Sequence, residues 1–95
     1  MTYSYTEIHD RIALEENLSK RAAEQLKRIN KMTQFNLAIE DADGDMSGYT
    51  EDIKTELNKL TAHYEHQLSE CKANLAKYKK MLRLIDELDK LNNDQ

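Results

Sequence analysis

The sequence predicts an all-α fold, an antiparallel two-helix hairpin of coiled-coil character, and three observations carry that reading. Proline is absent, so nothing forces a helix to stop. Both glycines, Gly44 and Gly48, fall within residues 41–50 beside Asp41, Asp43 and Asp45, which leaves one place to turn. On either side of it, apolar residues recur every three or four positions, the period of a helix face and not of a strand. A sandwich or barrel of 95 residues would need many turns, and two glycines do not supply them. The length allows one domain, residues 1–95, and excludes a catalytic domain with an accessory one.

The first helix is expected over about residues 5–40. Ser4-Tyr5-Thr6-Glu7 has the form of a capping box, in which Ser4 accepts from the Glu7 N–H and Glu7 reaches back to the Ser4 N–H. Tyr3 and Ile8 are placed to form the matching hydrophobic staple. Ile8, Ile12, Leu18, Ala22, Leu26, Ile29, Met32 and Ile39 form the apolar stripe, interrupted on or beside it by Glu15, Ser19, Thr33 and Asn36. Such a stripe reads as an ordinary face that drifts, not as a strict heptad seam. The turn is expected at 41–50, with Thr50 capping the second helix and Glu51 and Asp52 in its first turn, where unpaired N–H groups favour negative charge.

The second helix, about residues 51–91, is more regular. With Leu57 as heptad position a, Leu57, Tyr64, Cys71, Tyr78 and Ile85 occupy a, and Ile53, Leu60, Gln67, Asn74, Met81 and Leu88 occupy d. Leu68, Leu75 and Leu82 add position e, and Leu84 and Leu91 add position g. That apolar face is wider than one partner helix covers, so a four-helix bundle completed by dimerisation or by a helical partner is expected. Helices of roughly 36 and 42 residues would be about 54 and 63 Å long, implausible as lone helices in a compact monomer.

Folding back about Asp45 would set Ile8 near Leu82, Ile12 near Tyr78, Leu26 near Tyr64 and Thr33 near Leu57. Charge agrees with the fold-back. Residues 1–16 net −3 and would face 72–83 at +5, while 17–39 at +4 would face 51–71 at −3. Exposed ion pairs are worth only about 0–1 kcal/mol each, so the pattern bears on orientation more than on stability.

Candidate chemistry is sparse. The loop resembles half of a calcium loop in two registers. From Asp43, the residues Asp45, Ser47, Gly48, Tyr49 and Glu51 fall in place, but Lys54 stands where the bidentate carboxylate belongs. From Asp41, Asp52 supplies that carboxylate, but Met46 stands at the required glycine. His63, His66 and Glu70 share a helix face and would need a further metal ligand from elsewhere. Cys71, at an a position with no base three or four residues away, reads as a small buried hydrophobe. Gln67 and Asn74 either fix register within the seam or lie on an open face.

Function is therefore expected to be non-enzymatic. No paired acid and base converge, and no catalytic, cofactor or metal residues are assigned. Lys20, Arg21, Lys27, Arg28 and Lys31, and then Lys72, Lys77, Lys79, Lys80 and Arg83, form basic clusters. With a net charge of −4, an acidic block opposite each cluster and no interleaved aromatics, nucleic acid is not the expected partner, nor is a membrane. One cysteine and no apolar leader point to a reducing, cytoplasmic setting. The expected role is a small scaffold, adaptor or chaperone-like subunit acting as a homodimer, with a helical protein, or both. The expected contact residues are Leu75, Met81, Leu82, Leu84, Ile85, Leu88 and Leu91. A small acidic regulator that blocks an enzyme or a nucleic-acid-binding protein is the alternative.

Overall fold

The computed structural model describes residues 4–93. Helix α1 spans Tyr5–Ala42 and helix α2 spans Ser47–Asn93, joined by a single 3-10 turn at Gly44–Met46. The two helices pack together as a rod of 77 × 19 × 14 Å. At 1.5 Å per residue the 47 residues of α2 alone span about 70 Å, so α2 sets the length of the rod. The rod is a single layer of helices, and the seam between them is where side chains can be enclosed.

Ser4 caps α1 as its sequence implies: its backbone is extended (φ −71°, ψ 160°) and its Oγ accepts from the Glu7 N–H at 3.2 Å. Ile8 is fully buried, while its staple partner Tyr3 lies outside the described residues.

The turn is tighter than the sequence implies, and its cause is different. Asp43 is the residue that leaves the helix, with φ −144° and ψ 99°, and its N–H still bonds to the Ile39 carbonyl. Its carboxylate Oδ1 accepts from the Asp45 N–H at 3.0 Å and so starts the 3-10 turn. Neither glycine has positive φ, and a Cβ on either would meet nothing within 4 Å. The reversal is thus made by an aspartate, and Gly48 lies inside α2. Thr50 is not a cap. It sits within α2, its Oγ donates to the Ser47 carbonyl at 3.0 Å, and the residue is 1% exposed.

Helix α1 also departs from the drifting stripe. Its buried residues are Ile8, Ala22, Ile29 and Asn36, spaced by seven or by a multiple of seven, and half-buried Glu15 completes the series. The buried residues of α2 are Thr50, Leu57, Cys71 and Tyr78, with half-buried Tyr64 between. The two rows are heptad rows, and polar residues on α1 are members of its row and not breaks in it.

The register between the rows is fixed near the turn. The Asn36 Nδ2 donates across the seam to the Thr50 carbonyl at 2.8 Å, an index sum of 86. Extended by sevens, that register sets Ile29 against Leu57, Ala22 against Tyr64, Glu15 against Cys71 and Ile8 against Tyr78, which are the buried and half-buried residues of both rows. The expected sum was about 90, from a pivot at Asp45. Moving the pivot back to Asp43 shifts the register by four residues, one helical turn, because each residue of pivot counts on both strands of the hairpin.

Ser4 thus lies opposite about residue 82. The last eleven residues of α2, from 83 to Asn93, extend about 16 Å beyond the described start of α1.

Gly48→Ala should stabilise the hairpin by about 0.5 kcal/mol and raise Tm by about 2–4 °C, since the position is helical and open. Thermal unfolding followed by circular dichroism checks this, and a lowered Tm would mean that the glycine is needed for a turn.

Candidate partner-binding face

Polar residues in the seam serve register. Glu15, in the α1 heptad row, accepts from the Asn74 Nδ2 at 3.3 Å, so Asn74 belongs to the seam. The same carboxylate accepts from the Cys71 thiol. Cys71 is 3% exposed; burial, then the hydrogen bond and charge of Glu15, then the charge of Glu70 all push its pKa above the ordinary 9.0. A thiol held protonated is a poor nucleophile. Gln67 is half-buried at the corresponding place one heptad earlier.

Apolar surface outside the seam is distributed unevenly. Taking Ile8 as position a of α1, the exposed large apolar residues Leu14, Met32 and Phe35 fall at d or g. On α2 all six, Tyr49, Ile53, Leu60, Leu84, Leu88 and Leu91, fall at d or g. These positions lie on one side of the seam, and Met32, Phe35, Ile39 and Ile53 meeting in one groove shows that the two sides coincide. Among the described residues, nine of the eleven exposed large apolar side chains in the helices therefore share one side of the rod; Tyr5 and Leu37 lie off it.

That side has two apolar ends and a polar middle. At the turn end, an open groove of about 500 Å³ is lined by Lys31, Met32, Phe35, Asn36, Ile39 and Ile53. Phe35 is 70% exposed beside it. Asn36 is 5% exposed, and its Oδ1 has no donor, although its Nδ2 is bonded to Thr50. At the far end stand Leu84, Leu88 and Leu91, half or more exposed. Of the other residues expected to make contact, Leu75, Met81, Leu82 and Ile85 are half-buried. Leu75 and Leu82 are at e, on the other side of the seam, so e and d/g do not form one continuous surface.

The turn-end groove is the feature that sequence reading missed. From sequence, Met32 is one member of the drifting apolar stripe of the first helix, and Phe35 has no place in it. A signal was present: positions 32, 35 and 39 repeat as d, g and d once Asn36 is accepted as an a residue.

Neither calcium-loop register is formed, because from Ser47 onward the would-be ligand positions are wound into α2. His66 Nε2 pairs with Glu70 Oε1 at 2.9 Å in the open, and His63 stacks edge-on against Tyr64 at 5.0 Å. Among the described residues no three His, Cys, Asp or Glu side chains converge as metal ligands. Nor is any described helix long and apolar enough to cross a membrane.

The fold and surface together define a small, elongated all-α domain with an exposed apolar face suited to protein contact. Comparison with protein-family models, with curated proteins and with solved structures finds no match.

The raised Cys71 pKa makes stability fall at alkaline pH. In the unfolded chain the thiol ionises first, near 9.0, so the stabilisation is complete below that pH and is lost as pH rises toward the folded value. Urea melts of wild type and Cys71→Ala between pH 7 and 10.5 should show a steeper alkaline decline in the wild type. Parallel declines would remove the thiol from the account.

Proposed function

We propose that this chain is a non-enzymatic protein–protein interaction module, a small scaffold, adaptor or chaperone-like subunit that docks through the d and g side of its hairpin. The observation that carries this reading is the one-sidedness of its exposed apolar residues. Scattered single apolar residues are normal on a protein surface, whereas apolar clusters gathered on one side, as at the two ends of this face, mark a contact surface. The accessible surface supports it as well: 7635 Å² compares with about 5,700 Å² for a compact protein of 11.1 kDa. A rod of this shape would supply half of a four-helix bundle, and the natural covering for two apolar rows along it is another helix or pair of helices.

The contact set is accordingly Met32, Phe35, Ile53 and Leu60 at one end with Leu84, Leu88 and Leu91 at the other. Leu75 and Leu82, at e, contribute to the hairpin itself. Capture from a source-cell lysate and sedimentation of the purified chain test the reading together. Leu88→Asp should weaken association by roughly tenfold or more while the helix signal stays, because it charges an exposed interface position. Leu37→Asp, on the opposite side, should leave association unchanged. Leu57→Asp should unfold the hairpin, since Leu57 is 6% exposed in the seam. Equal loss of association from Leu37→Asp and Leu88→Asp would refute a one-sided face.

A further inference from the structure

The d row of α2, exposed at Ile53, Leu60 and Leu88 and half-buried at Gln67, Asn74 and Met81, has the same order of two apolar residues and an amide from either end. Ile53, Leu60 and Gln67 are mirrored by Leu88, Met81 and Asn74 about a point between Glu70 and Cys71. A two-fold axis through that point, perpendicular to the rod, would lay α2 of a second copy antiparallel on the first. It would pair Ile53 with Leu88 and Leu60 with Met81, apolar with apolar, and bring Gln67 to the level of Asn74, whose Nδ2 is already given to Glu15 in its own seam. We infer that the covering for this face is a second copy of the chain in that antiparallel arrangement. The inference rests on the d and g side being a docking face and specifies what docks there.

A separate observation leads to the same geometry. Residues 27–39 of α1 lie beside about 47–59 of α2, the level of the turn-end groove. The axis carries that level to about residue 82 and beyond in the other copy, which is the stretch of α2 that overhangs α1. The overhang of each copy therefore falls over the groove of the other, with Leu88 and Leu91 above Met32, Phe35 and Ile53.

The stretch from 83 onward has no described α1 residue alongside it, and no described element covers the groove.

Charge agrees at this contact. At the groove level, α1 between Lys27 and Ile39 carries Lys27, Arg28 and Lys31 and no acid, and α2 from 47 to 59 nets −1, so the level is positive, while the overhang carries Arg83 and Lys90 against Asp86, Glu87 and Asp89, net −1. Glu70 falls near the axis beside its own mate, already paired to His66 at 2.9 Å. Contact from Ile53 to Leu88 is about 50 Å long and roughly 10 Å wide, on the order of 500 Å² per copy, the size of a weak, reversible interface.

The test uses full-length chain in a Cys71→Ser background. One preparation carries Ile53→Cys and an affinity tag, and the other carries Leu88→Cys. Mixed under mild oxidation, they should form the 53–88 heterodimer in preference to 53–53 or 88–88, and sedimentation of the wild type should give twice the chain mass. Circular dichroism on each variant confirms that the hairpin is intact. A wild-type mass of one chain at 100 μM (roughly, a weak-dimer concentration), or preferential 88–88 linkage, would overturn the antiparallel dimer. If the chain is monomeric while Leu88→Asp still abolishes lysate capture, the docking face stands and its occupant is another protein. If Leu88→Asp changes neither, the docking face itself falls.

Discussion

The reversal of the chain at Asp43 is the constraint on which the rest of this structure depends. One extended residue, tied by its N–H to Ile39 and by its carboxylate to Asp45, brings α2 back one turn earlier than a long polar loop would. The Asn36–Thr50 bond then locks the register, and each further heptad pair follows from it. In a single layer of two helices no third element can correct a slip. A shift of four residues would separate Glu15 from Asn74 and Cys71 and put a carboxylate against apolar surface, at a cost of a few kcal/mol for an unpaired charge.

Much of this was legible in the sequence, and the parts that were not share one physical cause. Two long helices, the Ser4 cap, the single turn and the a row of α2 follow from proline content, glycine placement and periodicity. The α1 row was obscured because Glu15 and Asn36 were read as defects. Polar residues in a heptad row look like interruptions until their partners across the seam are known, and those partners are 14 and 59 residues away. The same error hid the groove, since denying Asn36 its place in the row left Met32 and Phe35 without a side. The glycines misled in another way. They marked the region of the turn correctly, but the turn is made by the Asp43 carboxylate accepting from the Asp45 N–H, and residue spacing alone does not reveal that bond.

Once the rows are aligned, the width that α2 shows in sequence separates into two surfaces with different uses. Leu68, Leu75 and Leu82 at e are half-buried against α1, whereas Ile53, Leu60 and Leu88 at d, with Leu84 and Leu91 at g, remain open. A hairpin that used both sides equally would bury its leucines symmetrically. This one does not, and the asymmetry is what marks one side for contact. On the proposed docking face, the polar middle, with Gln67 and Asn74 at d, would limit non-specific stacking of the apolar ends and favour partners aligned along the whole rod.

The central claim is that one side of the rod, and not the other, is covered when the chain assembles. Paramagnetic relaxation of side-chain methyl groups by a soluble probe, followed as protein concentration rises, tests it most directly. The account predicts that Ile53, Leu60, Leu84, Leu88 and Leu91 lose contact with the probe together while Leu37 keeps it. Loss of contact at Leu37 to the same degree, or unchanged exposure of the five at every concentration, would contradict it.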